Sequence, residues 1–264
     1  MTGESQFFCF RDGNLSEVTE TGFCENNLAA ADSWLVEDGR VRALDRHFDR
    51  FERSLSAISP SHKPLLPSFF DSVIAAIPST GRWFPRIEFH ADDQAQHHLH
   101  LRLRPAPDLQ ETVTLWTLDE PDPRVSPHVK GPDLSLGQQL RRRANLHGAE
   151  EAVLLDSGGH ILEGALSSLV WWRDGVLVAP PSSLPWLPSV TRELVFEIAV
   201  QSGFEVGEEV AKPSQLNCLE IWALSSLHGI RLVTAWDDLP DGPARGEHVD
   251  TFRKRLRLLS SSIN

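Results

Sequence analysis

Tyrosine is absent from this chain, and only four of its 25 basic side chains are lysines, against 21 arginines. Chemistry that needs a side-chain amine is therefore confined to Lys63, Lys130, Lys212 and Lys254. Cysteine is nearly as scarce. Cys9, Cys24 and Cys218 are odd in number and far apart, which argues against a disulfide framework and suits a reducing compartment. No apolar run approaches the roughly 20 residues needed to span a bilayer. Met1–Ser5 lacks the basic and apolar segments of a signal peptide, so a soluble, cytoplasmic protein without a membrane partner is expected. Basic charge is also short. With 37 acidic residues the formal net charge is −12, which disfavours nucleic acid as a partner. Internal repeats, a Gly-rich phosphate loop and a G-x-S-x-G elbow are missing. His97, His98 and His100 have no acid or cysteine partner nearby, so they read as a polar strand face, and no metal is expected.

What is present is an α/β pattern long enough, at 264 residues, for one or two domains. Phe7–Arg11 reads as a strand turned by Asp12-Gly13-Asn14, and Ser33–Val36 and Arg40–Ala43 as a hairpin. Asp45 is placed to cap a helix running to Ile58, with Phe48, Phe51, Leu55 and Ile58 along one stripe. A break at Pro60–Pro64 precedes a helix over Pro67–Ile77 and strands over Phe84–His90 and His98–Arg104. Pro105-Ala106-Pro107-Asp108 is the best linker. A smaller N-terminal α/β domain (1–104) and a larger C-terminal domain (112–264) flank residues 105–111. After it come a strand at Thr112–Leu118 and a helix at Leu134–Leu146. Four short strands follow between Ala152 and Ala179, then a helix at Arg192–Gln201 and strands at Leu219–Leu224 and Arg231–Trp236. A last helix, Val249–Leu259, runs into a polar tail.

Three segments carry chemistry. Lys130 lies in an uncharged loop framed by Pro127, Gly131 and Pro132, where desolvation would make its amine nucleophilic. Glu163 ends an apolar strand beside Gly164, a costly place for a carboxylate unless something pairs with it. Leu187–Glu193 is a loop entering a helix, whose first N–H groups suit a phosphate.

In this order, with 33 residues from Lys130 to Glu163, these segments resemble the class IV aminotransferases, the fold-type IV pyridoxal-phosphate enzymes. These include branched-chain and D-amino-acid aminotransferases and aminodeoxychorismate lyase. His47-Phe48-Asp49-Arg50-Phe51, Val190-Thr191-Arg192 and Ser225–Ile230 extend the resemblance over nearly the whole chain. It implies a two-domain α/β fold with the cofactor cleft between the domains, and a homodimer. The tryptophans Trp34, Trp171, Trp172, Trp186 and Trp222 are candidates for apolar interface area. It implies pyridoxal 5'-phosphate on Lys130, its ring nitrogen at Glu163, and its phosphate held by Arg50, Val190, Thr191 and Ser226. His90 stands where many relatives carry a carboxylate-gripping arginine; Asp32, His228 and Gly229 complete the implied substrate residues.

The resemblance implies a pyridoxal-phosphate lyase or aminotransferase, and the balance tips towards the lyase that releases pyruvate from aminodeoxychorismate to leave 4-aminobenzoate. Ser225–Arg231 looks like the lyase version of that loop, and Ser33 stands where lyases tend to have a hydroxyl that protonates the departing pyruvate. An amino-acid aminotransferase of branched-chain or D-amino-acid type is the alternative. A non-catalytic relative that binds cofactor or a small acid, or an unrelated α/β binding module, stays open.

Overall fold

In the computed structural model, residues 4–19, 27–91 and 98–263 are described. Cys24 and His97 lie outside them. The chain forms two compact units. The first comprises Met1–Asp108, Val129–Pro132 and Leu259–Asn264, and the second Leu109–His128 and Asp133–Leu258. A single cut near 105–111 misses two exchanges: the lysine loop and the C-terminus both belong to the first unit.

The first unit opens with β1 (Gln6–Arg11) and β2 (Asn14–Val18), a hairpin turned by Asp12 and Gly13, both at positive φ. Then come β3 (Leu28–Ser33), β4 (Val36–Glu37), β5 (Arg40–Arg42), α1 (Leu44–Ile58), α2 (Leu66–Ala76), β6 (Arg82–Trp83), β7 (Arg86–His90) and β8 (Leu99–Leu103). The main sheet has the order β2-β1-β8-β7-β3. One face carries Phe10, Ala30, Ile87, Phe89 and Leu101 and packs on Phe51, Leu55, Phe69 and Val73 of the helices. The other is polar: Arg86 lies opposite Arg102 and Ser33, and Glu88 opposite His100 and Ala31.

Five expectations change here. Ser33 closes β3 instead of opening a strand. Asp45 sits inside the first turn of α1, whose N-cap is Ala43 at φ 45° with no side-chain cap. Ile58 is 39% exposed, while His47 and Arg50 are buried. The segment expected only to break the chain, Pro60–Leu65, is a 3-10 helix, and the polar tail forms a strand, Ser260–Ser262, paired with β5. Short strands without alternation leave little signal in sequence.

The second unit contains β9 (Thr112–Thr117), α3 (Leu134–Leu146), β10 (Glu151–Leu155), β11 (Ile161–Gly164), β12 (Ser168–Arg173), β13 (Val176–Ala179), α4 (Val190–Gln201), β14 (Glu205–Glu208), β15 (Ile221–Ser225), β16 (Gly229–Trp236) and α5 (Val249–Leu258). Its sheet runs β11-β10-β9-β16-β15-β12-β13-β14. Asp174 and Gly175, at φ 51° and 80°, supply the tight turn of the β12–β13 hairpin. Val113, Leu115, Val153, Leu169, Trp171, Ile221 and Val233 fill one core. Trp34, Trp171, Trp172 and Trp222 are all buried within a single chain, so they supply core volume and not the interface area expected of them.

The start of α5 depends on one buried acid. Glu220 accepts hydrogen bonds from the N–H groups of Glu247, His248 and Val249 and from the Trp222 indole. An anion at a helix N-terminus satisfies donors that lack intrahelical acceptors and opposes the helix dipole. His248, also bonded to Glu220, stacks on Trp172 with ring centroids 3.9 Å apart. Glu220→Ala would leave several buried donors unsatisfied. Urea unfolding followed by tryptophan fluorescence should show a loss of about 2–4 kcal/mol, whereas Glu220→Gln should lose less.

Candidate active site

In the first unit the site is built around Asp32, which has no exposed surface. Its Oδ2 accepts from Arg50 Nε at 2.7 Å, and its Oδ1 accepts from Arg50 Nη2 at 2.8 Å and from the Ser33 N–H at 2.7 Å. His47 Nδ1 is also 2.8 Å from Oδ1. Residues 47 and 50 stand one turn apart on α1, so one carboxylate at the end of β3 can hold both. Burial alone would raise the Asp32 carboxyl; the Arg50 and His47 charges overcome it and keep the group ionised, well below the usual carboxylate range. Both its oxygens are taken within the chain, and it orients the Arg50 guanidinium.

Lys130 enters this unit through its backbone: the Ala31 N–H donates to the Lys130 carbonyl at 2.6 Å. Gly131 follows because a Cβ there would sit 2.8 Å from the Ala30 Cα. Burial, then the Arg50 charge, lower the Lys130 ammonium to about 8, with Asp32 pulling the other way. The arginine charges that add to burial come from segments distant in sequence.

The polar sheet face centres on Glu88, which is fully buried. It accepts from Arg86 Nε at 2.5 Å and Arg102 Nε at 3.1 Å, and its Oε2 lies 2.8 Å from His90 Nε2. His90 is thus bonded to an acid of its own strand. Arg104 lies over the Phe84 ring, its guanidinium lowered to about 10 by burial and by Arg86 and Arg102. Ser33 is buried at the end of β3.

In the second unit Glu163 is buried, and its Oε1 takes two hydrogen bonds. Arg124 Nη1 donates at 2.5 Å and the Leu187 N–H at 2.8 Å. Among the described residues Oε2 accepts none. Burial raises the Glu163 carboxyl to about 7 even though Arg124 pulls it down. From Leu187 three residues lead to Val190, the first of α4, a reach of at most about 10 Å. The Ser189 hydroxyl caps α4 by accepting from the Arg192 N–H at 3.2 Å, so the helix starts two residues earlier than expected. Among the described residues no protein acceptor meets the Val190 and Thr191 N–H groups. Arg192 turns back over the Trp186 ring, 4.1 Å from its centroid, and holds the loop.

Ser226 lies in the turn between β15 and β16, closed by Gly229 at φ 68°. In that turn the His228 N–H donates to Ser225 Oγ at 3.2 Å. His228 Nδ1 accepts from the Gln110 N–H at 3.1 Å, and burial, then Arg231 and Arg141, push its imidazole down to about 4. It is neutral at physiological pH.

His47, Glu88 and Arg124 are the residues that sequence reasoning missed. His47 carried a signal, lying three residues before Arg50; Glu88 and Arg124 act through partners 14 and 39 residues away. Two measurements test this geometry. Competitive acylation of the cofactor-free protein should titrate Lys130 with a midpoint near 8, and a midpoint at the ordinary lysine value would refute the desolvated site. Asp32→Asn removes the acid that pairs with the buried Arg50 guanidinium and holds His47, so it should cost about 3–5 kcal/mol in urea unfolding.

The amino-transferase class IV family model matches residues 29–236 of this chain. A branched-chain-amino-acid aminotransferase of Escherichia coli (strain K12) is 39% identical over 83 residues, 31% of this chain and 26% of that protein. The chain therefore matches about a quarter of the length of that relative. A bifunctional aminodeoxychorismate lyase / D-amino acid transaminase of Mycobacterium tuberculosis is 25% identical over 227 residues, 73% of this chain and 76% of that one. A hypothetical aminotransferase from Mycobacterium tuberculosis in its PLP-bound form superposes with a TM-score of 0.80 at 17% identity, over 97% and 98% of the two chains. A branched-chain aminotransferase from the thermophilic archaeon Thermoproteus uzoniensis, solved with norvaline, does so with a TM-score of 0.80 at 17% identity, over 99% and 100% of the two chains. With a family model that covers most of its length and a fold shared from end to end, the chain belongs to the class IV aminotransferases.

Proposed function

We propose that this protein is a pyridoxal-phosphate lyase that eliminates pyruvate from aminodeoxychorismate and leaves 4-aminobenzoate. Pyridoxal phosphate is the cofactor of the family, and the residues present fit it. A desolvated lysine suits its aldehyde. A buried acid with Oε2 unclaimed by the described residues suits its ring nitrogen, and the first N–H groups of a helix, three residues from that acid's Leu187 contact, suit its phosphate. When bound, the cofactor supplies an electron-accepting ring for the electron pair freed at the substrate Cα.

The chain's own residues do the rest. Lys130 Nζ, about half neutral near pH 8, is the attachment atom and then takes the proton from Cα, which keeps none because the product ring is aromatic. Asp32 holds the Arg50 fork in one orientation, which spares the guanidinium the entropy of finding the phosphate. The Thr191 hydroxyl and N–H and Ser226 complete the phosphate contacts. Ser33 gives its proton to the departing pyruvate, and the proton that Lys130 took from Cα replaces it.

Ser33 is the observation that favours the lyase. It is a buried serine at the end of β3, and its N–H donates to the acid that orients Arg50. The bifunctional relative, matched over most of this chain, carries lyase activity beside D-amino acid transamination in its name. A transaminase has to grip the carboxylates of two amino/keto acid pairs in turn, and His90 is instead bonded to Glu88. The stretch 39% identical to a branched-chain aminotransferase favours transamination as the second reading.

The expected outcome is release of pyruvate and 4-aminobenzoate in equal amounts from aminodeoxychorismate. Ser33→Ala should lower kcat by about 10²–10⁴-fold with little change in KM. Transamination of D-Ala or branched-chain amino acids with 2-oxoglutarate, without pyruvate release from aminodeoxychorismate, would establish the second reading. Borohydride reduction should fix the pyridoxyl group on Lys130 in either case.

A further inference from the structure

Arg124 was not among the residues that the motifs single out, yet it has the most committed side chain around Glu163. It lies in the stretch between β9 and α3 and is almost wholly buried, as are both acids it touches. Its backbone N–H and Nε donate to Asp122 Oδ1 at 3.1 and 3.0 Å, and its Nη2 donates to Asp122 Oδ2 at 2.8 Å. Nη2 also reaches the Pro185 carbonyl at 3.1 Å, leaving Nη1 for Glu163 Oε1. A planar fork bound on three sides cannot rotate, so it fixes the carboxylate it touches.

The charges are as informative as the contacts. Asp122, Arg124 and Glu163 together carry one net negative charge when both acids are ionised. Arg192 also faces Glu163, but it is paired with Glu208 at 3.9 Å and covered by the Trp186 ring. A buried cluster that keeps one negative charge and one carboxylate oxygen without a partner among the described residues is completed by a single positive N–H donor. We propose that Arg124 is the positioning residue that keeps Glu163 ionised against its own burial and directs Oε2 to the protonated ring nitrogen of the cofactor. The proposal rests on Glu163 being the ring-nitrogen partner.

The physics decides where one proton sits. Between a carboxylate and a pyridine nitrogen, the proton stays with whichever group binds it more strongly. Burial alone raises the proton affinity of Glu163 and would draw the proton onto the acid. Arg124 lowers that affinity and leaves the proton on the ring, where it deepens the electron sink. Asp122 opposes Arg124 electrostatically but locks its orientation.

The experiment reads that proton directly, by 15N NMR of holoenzyme loaded with cofactor labelled at the ring nitrogen. In the wild type and in Arg124→Lys, which keeps the charge, the signal is expected at the protonated position at neutral pH. Arg124→Gln keeps a donor but loses the charge, and its signal should move to the unprotonated position, as should that of Glu163→Gln. An unprotonated signal in Glu163→Gln with an unchanged one in Arg124→Gln overturns the role of Arg124 alone. A protonated signal in Glu163→Gln overturns the underlying reading of Glu163 and the proposal with it. A measurement without variants covers the case in which Arg124→Gln does not fold. In wild-type protein without cofactor, 13C-labelled Glu163 should titrate near 7. The Arg124 side-chain nitrogen signals should shift with the same midpoint; signals that stay constant through it overturn the coupling.

Discussion

Buried carboxylates held by buried guanidiniums are the constraint on which both halves of this molecule depend. Asp32 has no access to water and stays ionised because Arg50 and His47 close around it. Glu88 collects Arg86, Arg102 and His90 in the same way, and Glu151 binds Arg231 at 3.0 Å in the second unit. Removing a charge from water costs several kcal/mol unless its partners are near and well aimed. Each acid therefore dictates where its arginine points. In a chain with 21 arginines and four lysines, nearly all of this holding falls to planar forks.

Glu163 departs from that pattern in an instructive way. One of its oxygens is held by Arg124 and the Leu187 N–H, yet burial still raises its carboxyl to about 7. A fully satisfied acid would show the opposite shift, as Asp32 does. This incomplete pairing within the chain sets Glu163 apart from Asp32 and Glu88, whose oxygens are bonded to the side chains they orient.

Lysine placement follows a similar logic. A Lys130 amine lowered to about 8 is reactive because burial and the neighbouring arginines both oppose its charge. The glycine after it permits contact with β3 that any Cβ would prevent, so the reactive position and its backbone anchor are encoded two residues apart at most. The α4 N-terminus works by different means, presenting backbone donors without a formal charge.

The sequence by itself determined the α/β class, most of the helices and longer strands, the glycine-closed hairpins and the ordered set from His47 to Gly229 that marks the family. These are local properties: periodicity, turn chemistry and motif spacing are written in neighbouring residues. Leu134–Leu146 and Val176–Ala179 were legible to the residue for that reason. Only the tertiary structure decided that the lysine loop and the last residues belong to the first unit, and that Ser260–Ser262 is a strand. It alone set Asp32 against Arg50, buried Trp34, Trp171, Trp172 and Trp222, and brought Arg124 to Glu163 across 39 residues. Each of these follows from which groups share a buried space. Burial and charge pairing are long-range in the chain, and no window of sequence contains both partners.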